Sequence, residues 1–287
     1  MNYKIIMDVS GDVDVQIAGN SEIGFIPMEY SVGGVMRKCE GRESAETIHA
    51  FYEGQRGGEL TKTSQISPFM YREYLSPYFE KGQSVLYLCL SGGLSSTYQS
   101  ACLAKQELEA DYPGVKFMPV DTRAASGGMG VLAERAVKNM QSGMGIEENY
   151  ANLIAAVTRL KHWFLVQDLM YLKRGGRVSA ATAVLGTALG IKPLLTINPD
   201  GRLDTVAKKR GEKQAAGYIL ERFFETYDSE SGDAIYVIDA DAPDTGAYLE
   251  KAILARFPEA IVRRSYLSPI IGSHTGPDMA AICYMGK

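Results

Sequence analysis

The sequence predicts an α/β protein in two domains, an N-terminal doubly wound parallel sheet and a C-terminal α+β half. Three observations carry this. Through the first half, short apolar runs such as Tyr3–Met7, Val85–Leu90 and Val115–Val120 alternate with helical patterns, the rhythm of βα units around a parallel sheet. In the second half the turn Asn198-Pro-Asp-Gly201 marks a hairpin among helices and strands. Between them Gln141-Ser-Gly-Met-Gly145 reads as a linker, dividing the chain into residues 1–145 and 146–287.

In chain order, Tyr3–Met7 is a strand ending at Asp8, and Ile23–Met28 a second, followed by a polar loop over Ser31–Gly41. Helices are expected over Ser44–Arg56 and Ser67–Lys81, the latter with Ser67 as N-cap and Pro68 in its first turn. Val85–Leu90 is a strand leading to a helix over Ser96–Ala110, and Val115–Val120 a strand leading to Met129–Met140. Beyond the linker come a helix over Ile146–Leu160, a strand over Trp163–Val166, a short helix Leu169–Arg174 and another over Ser179–Ala188. Ile191–Ile197 and Leu203–Ala207 form the hairpin. Helices over Gly211–Tyr227 and Thr245–Phe257, with strands Ala234–Asp239, Ile261–Ser265 and Met279–Met285, complete the reading.

Composition narrows the function. The 287 residues carry a net charge of −4 and no basic tract, which excludes a typical nucleic-acid partner. Four scattered cysteines form no CxxC and suit a reducing compartment. The first strand is too short for a signal peptide, and no apolar run reaches the length of a transmembrane helix; the expected location is the cytoplasm. Three isolated histidines offer no metal-ligand spacing, so neither a metal nor a cofactor is expected.

The segment Leu90-Ser-Gly-Gly-Leu-Ser-Ser-Thr97 joins a buried strand to a helix start, where unpaired N–H groups and the helix dipole favour an anion. Ser95 and Ser96 add hydroxyl donors, Gly93 allows close approach, and the absence of lysine argues against a Walker-type cradle. Gly127-Gly-Met-Gly130 matches neither Walker nor dinucleotide spacing. A second hydroxyl cluster, Thr61–Ser67, reads either as capping or as a contributor of Thr63 or Ser64 to the same pocket. His274 lies in the glycine-bounded Ile271–Pro277 segment, as an anion donor, a base or a surface turn residue. Lys173, Arg174 and Arg177 form a basic cluster at a helix end, either complementing its dipole or meeting an acidic partner; Lys208, Lys209, Arg210 and Lys213 form another. Asp8, Asp12 and Asp121, at strand ends, read as loop-ordering caps rather than as an acid–base pair or metal ligands.

Five segments in order resemble the DegV family of bacterial fatty-acid-binding proteins along the whole chain: Asp8…Asp12, Thr63-Ser-Gln-Ile-Ser-Pro68, Leu90–Ala101, Tyr171–Arg177 with Gly190-Ile-Lys-Pro-Leu194, and Ile271–Pro277. Ile66, Gly92, Ser96 and Asp278 depart from the family pattern. The resemblance implies two α/β domains with a long-chain (C16–C18) fatty acid between them. Its carboxylate would be held by Thr63, Ser95 and loop amides with His274 nearby, with Ser64, Gly93 and Ser96 in the same site. It also implies a fatty acid kinase as partner, which would phosphorylate the presented carboxylate. From the basic cluster itself we expect Lys173, Arg174 and Arg177 to dock that partner. On this reading the chain is a non-catalytic, substrate-presenting subunit. An acyl-transfer or hydrolytic enzyme using Ser95 as nucleophile and His274 as base is the alternative, although the sequence shows no third group to orient the histidine and no G-x-S-x-G elbow. Burying about fourteen methylenes contributes roughly 11 kcal/mol before association costs. The tail would therefore dominate binding while the head fixes direction.

Overall fold

The computed structural model describes residues 3–13, 22–167, 169–179 and 190–287. The first sheet is wholly parallel, in the order β2 (Ile23–Ile26), β1 (Tyr3–Asp8), β6 (Ser84–Cys89), β7 (Phe117–Asp121). Val85–Cys89 is buried without alternation, as expected for a strand covered on both faces. Helices α2 (Pro68–Phe79) and α3 (Thr97–Asp111) pack together as one cover; α4 (Gly127–Gln141) and α5 (Ile146–Val157) form the other. This is the doubly wound sheet that the alternation predicts. The chain order reverses at β1, so the loops after β1 and β6 open a crevice at the carboxyl edge.

The second sheet has six strands in the order β10 (Leu203–Arg210), β9 (Ile191–Ile197), β8 (Leu160–Leu165), β13 (Ala280–Met285), β11 (Ile235–Asp239), β12 (Val262–Tyr266). All its pairings are antiparallel except β11 with β12. Its outer face packs on α7 (Glu212–Thr226) and α8 (Pro243–Arg256) around an aromatic group in which Phe223 meets Tyr227, Phe257 and Tyr284. Its inner face, including Phe164, Tyr236, Ile238 and Cys283, belongs to the same apolar core as the parallel sheet.

Helix α4 lies between the two sheets, touching β1 and β6 on one side and β8, β11 and β13 on the other. Its glycines make that possible. A Cβ on Gly127 would stand 2.8 Å from Tyr236 Cβ, and one on Gly130 would stand 2.7 Å from the Asp12 carbonyl oxygen. The Gly127–Gly130 run is a packing seat for the second sheet.

A third, three-stranded sheet was not foreseen. It runs β4 (Val35–Cys39), β3 (Met28–Val32), β5 (Thr61–Thr63), antiparallel throughout. The single strand expected over Ile23–Met28 breaks at Pro27, which has no N–H to continue a ladder, and Met28 starts a strand of another sheet. The expected polar loop over Ser31–Gly41 is a hairpin turned by Gly33 and Gly34, both at positive φ (57° and 86°). Four of the five β4 residues are exposed, so no apolar alternation betrays the strand. The helix expected over Ile146–Leu160 stops at Val157, and Leu160 already opens β8. Beyond Ser179, the helix expected over Ser179–Ala188 lies outside the described residues.

The seating of α4 carries a prediction. Gly130→Ala forces a methyl against backbone and the Tyr236 ring, and is expected to lower unfolding stability by about 1–3 kcal/mol. Urea denaturation measures this; an unchanged midpoint and slope would remove α4 as the close-packed joint.

Candidate functional site

A cavity of about 560 Å³ lies between the carboxyl edge of the parallel sheet, the inner face of the six-stranded sheet and the short helix α9 (Pro269–Thr275). Met28, Phe164, Leu172, Ile197, Ile270 and Met279 contribute its apolar wall. Thr63, Ser64, Ser95, Ser96, Gly93, Arg177 and His274 all line it as well. The structure thus brings together side chains from β5, the loop before α3, the turn after α6 (Met170–Arg174) and α9.

Two buried carboxylates hold the loops that carry these groups. Asp8 accepts hydrogen bonds from the Tyr87 hydroxyl (2.9 Å) and the amides of Leu90 (2.9 Å) and Ser10 (3.1 Å), fixing the start of the loop after β6. Asp12 accepts from the Ser126 hydroxyl (2.6 Å) and the Ser268 amide (3.0 Å), joining the N-caps of α4 and α9. Burial raises the Asp8 carboxyl above its ordinary range and pushes Asp12 up to about 7, although the hydrogen bonds oppose the shift. Their loop-ordering role is the one the sequence favours.

The loop amides do not form a free anion nest. Gly92 N–H donates to Asp121 Oδ1 (3.0 Å), Gly93 N–H to Ser91 Oγ (3.2 Å), and the Leu94 and Ser95 amides to the Ser91 carbonyl (3.0 and 3.1 Å). Gly93 is required for another reason: a Cβ there would lie 2.6 Å from the carbonyl oxygens of Asp200 and Gly201. The tip of the β9–β10 hairpin sits on this loop, and the Ser91 hydroxyl donates to the Gly201 carbonyl (2.7 Å). An anion in this cavity would therefore meet side chains where the sequence reading assigns part of the contact to amides.

Thr63 Oγ1 lies 2.8 Å from His274 Nε2. His274 was expected in a loop but occupies the last turn of α9. Its Nδ1 is buried without a partner, against Gly175, where a Cβ would lie 2.2 Å away. Burial, and then the neighbouring Arg177 charge, depress its pKa to about 4, so the ring is neutral at physiological pH. Ser95 Oγ is 2.9 Å from Thr97 Oγ1 and accepts the Thr97 amide at 3.2 Å. Ser95 and His274 thus each bond to a threonine and not to each other, and no carboxylate meets His274 Nδ1 among the described residues. A serine nucleophile with its base is not assembled.

Arg177 is the group whose place the sequence obscured. Read as part of a basic rim, it turns inward: its Nε donates to the Leu94 carbonyl (3.1 Å), its Nη1 donates to the Gly175 carbonyl, and the side chain lines the cavity. Burial lowers its pKa. Gly175-Gly176, which stops α6 and returns the chain, was the available signal. Arg174 stays exposed, its guanidinium 4.4 Å from the centre of the Tyr171 ring, and neither Arg174 nor Lys173 lines this cavity. An adjoining hollow of about 390 Å³ is lined by Lys62, Tyr171 and Arg174 and shares Thr63, Arg177 and His274 with the cavity. Among the described residues one set of side chains has metal-ligand proximity, His49, Glu53 and Asp241. The Arg56 guanidinium already pairs with Glu53 and Asp241.

Fold and site together define an α/β protein of two large sheets and a small third one, with a cavity lined by both apolar and polar side chains. The family model described as "Uncharacterised protein, DegV family COG1307" matches residues 2–287. The chain is 31% identical over 284 residues to a DegV domain-containing protein of Clostridium perfringens, covering 99% of this chain and 97% of the relative. It is similar in structure to a DegV family protein from Thermus thermophilus described as binding fatty acid (TM-score 0.86, 31% identity, covering 99% of this chain and 100% of the other). A DegV lipid binding protein from Thermotoga maritima is similar too (TM-score 0.83, 29% identity, 100% and 99% covered). This chain belongs to the DegV family. No helix among its described residues is long and apolar enough to cross a membrane.

The site sets opposing pH dependences. His274 and His162 have folded-state pKa values depressed from 6.5 to about 4 and about 3, so each contributes stability that is lost as pH falls below 6.5. Asp12, raised from 3.8 to about 7, acts in the opposite sense, weakening the fold as pH rises through that window. His274→Gln is expected to flatten the acid limb of stability against pH by on the order of 3 kcal/mol between pH ~7 and ~4. Denaturant melts across that range measure it, and identical slopes for both proteins would contradict a neutral buried imidazole.

Proposed function

We propose that this protein binds a long-chain (C16–C18) fatty acid in the cavity and presents its carboxylate to a fatty acid kinase for acyl phosphate formation. The observation that carries this reading is the mixed lining of the cavity: Thr63, Ser95, His274 and Arg177 all face it, with Thr63 2.8 Å from His274 and Arg177 bonded to the Leu94 carbonyl, while Met28, Phe164, Leu172, Ile197, Ile270 and Met279 supply apolar wall. A carboxylate in such a place needs charge-assisted hydrogen bonds. Arg177 supplies the charge, so the head is held by a cation as well as by hydroxyls, with Ser64 and Ser96 at the margin. The relatives described as binding fatty acid or lipid, at 31% and 29% identity, support the same ligand class.

The neutral His274 gives Thr63 its direction. With the proton on Nε2, the imidazole donates to Thr63 Oγ1 and leaves the threonine proton free for the ligand. With the proton on Nδ1, Thr63 would spend its proton on the ring. An anionic ligand favours the first tautomer. The hollow that shares Thr63, Arg177 and His274 with the cavity supports a head-outward orientation, because it brings solvent or a partner to the carboxylate. We place the domain division at 1–145 and 146–287, with α5 packing back on α4, β6 and β7, and the protein in the cytoplasm, with four free cysteines. In this reading the chain itself performs no catalysis, and no cofactor is needed.

Native purification followed by intact mass measurement tests ligand and role together. The expected result is release of a C16–C18 acid on denaturation and return to the sequence mass; an acyl group remaining on Ser95 would sink the carrier reading. Thr63→Ala and Ser95→Ala are expected to reduce acyl phosphate formation with a cognate kinase roughly tenfold or more, with a smaller loss of bound lipid. Equal and complete loss of lipid would show that the head, not the tail, dominates. Charge reversal at Lys173 and Arg174 is expected to slow kinase turnover while lipid is retained, and undiminished turnover would exclude them as docking residues.

A further inference from the structure

The small three-stranded sheet has an open edge beside the residues that meet at Thr63. β5 pairs only with β3, and the register decides which of its backbone groups that pairing uses. The Gly33 amide donates to the Leu60 carbonyl (3.1 Å) and the Ser64 amide to the Glu29 carbonyl (3.0 Å), so hydrogen-bonded pairs stand at both ends of the ladder. Antiparallel strands alternate bonded with non-bonded pairs. Ser31 with Lys62 is therefore the bonded pair in the middle, and Val32 with Thr61 and Tyr30 with Thr63 are non-bonded. The amides and carbonyls of Thr61 and Thr63 thus point away from β3, and none of the four has a hydrogen-bond partner among the described residues.

This edge borders a recess. Thr61, Lys62 and Thr63 line the hollow of about 390 Å³ together with Tyr171 and Arg174. Two amides and two carbonyls at strand spacing beside such a recess are a template onto which an extended segment adds as a further strand. The hollow also selects by charge. Lys62, Arg174 and Arg177 line it, and no carboxylate does among the described residues. Across the sheet Lys62 stands in a row with Ser31 and Met36, so no carboxylate opposes it there either. Leu60, 58% exposed at the start of the edge, adds an apolar contact. Thr63 serves both sides of the strand: its hydroxyl meets His274, while its main chain stays open on the edge.

We propose that an extended acidic segment of the kinase partner docks here as a fourth strand, bonded to the main chain of Thr61 and Thr63 and meeting Lys62 and Arg174. This rests on the kinase reading and deepens it, because it states how that partner reaches the carboxylate. A strand added to β5 lies about 4.8 Å from it, so a segment bonded to the Thr63 main chain is carried next to the hydroxyl assigned to the head group.

The test uses the whole lipid-loaded protein and its cognate kinase, with amide hydrogen exchange read residue by residue in the free and kinase-bound states. The Thr61 and Thr63 amides are expected to exchange at least about tenfold more slowly in the complex, whereas the Lys62 amide, paired with Ser31 in the free protein, is slow in both states. Lys62→Glu is expected to weaken kinase binding about tenfold with lipid retained, and Lys62→Arg to bind as wild type does. A complex that forms and yields acyl phosphate while the Thr61 and Thr63 amides exchange as in the free protein overturns the strand docking and leaves the kinase reading standing. Equal kinase affinity for Lys62→Glu and wild type overturns it too. If Lys62→Glu fails to fold, the wild-type exchange rates decide alone. Neither complex nor acyl phosphate from folded, lipid-loaded wild type would instead defeat the kinase reading itself, and the docking site with it.

Discussion

The constraint on which this molecule turns is the close approach of the six-stranded sheet to the carboxyl edge of the parallel one. Parallel sheets leave their loops and helix starts at one edge, and a second layer reaches that edge only where side chains are missing. Gly127, Gly128 and Gly130 remove them from α4, and Gly93 removes one from the loop beneath the β9–β10 hairpin. The cavity is the space that remains between surfaces brought this near. Thr63, Ser95, Arg177 and His274, from distant parts of the chain, meet there because the approach is fixed on both sides, by Asp12 bridging Ser126 to Ser268 and by Ser91 bonding the Gly201 carbonyl.

Buried acids in such a joint have a cost that their geometry answers. Asp12 is desolvated enough to stand near 7, yet it receives a hydroxyl and an amide from two different N-caps. Loss of either donor would leave a buried carboxylate short of partners, which is more damaging than the same loss at the surface. Its contribution is therefore more to positioning α9, and through it His274, than to net stability.

Much of this was legible in the sequence because it depended on local signals. The buried strand Val85–Cys89, the Ser67-Pro68 helix start and the Asn198–Gly201 turn are each written in adjacent residues. The β3–β4 hairpin was not, since β4 is exposed and offers no apolar alternation. Within the site, Thr63, Ser95 and His274 were identifiable as residues, but their pairing was not. That Thr63 meets His274 while Ser95 meets Thr97 is set by how β5 and α9 lie together. Arg177 misled for the same reason: a cation after a helix end reads as solvated, and only the return of the chain at Gly175-Gly176 turns it inward.

That inward arginine changes what the head group can do. A carboxylate held by hydroxyls alone would be weakly compensated in an apolar surround, and its own pKa would rise. On the proposed reading Arg177 would restrain that rise and keep the head anionic, while its Nε is tied to the Leu94 carbonyl and its Nη1 to the Gly175 carbonyl. Part of the fork is thus spent on backbone, which limits how fully it can clasp both carboxylate oxygens. On the proposed function, a head that stays charged and oriented yet open to transfer would gain from such an incomplete clasp, with the neutral His274 bonded to Thr63 beside it.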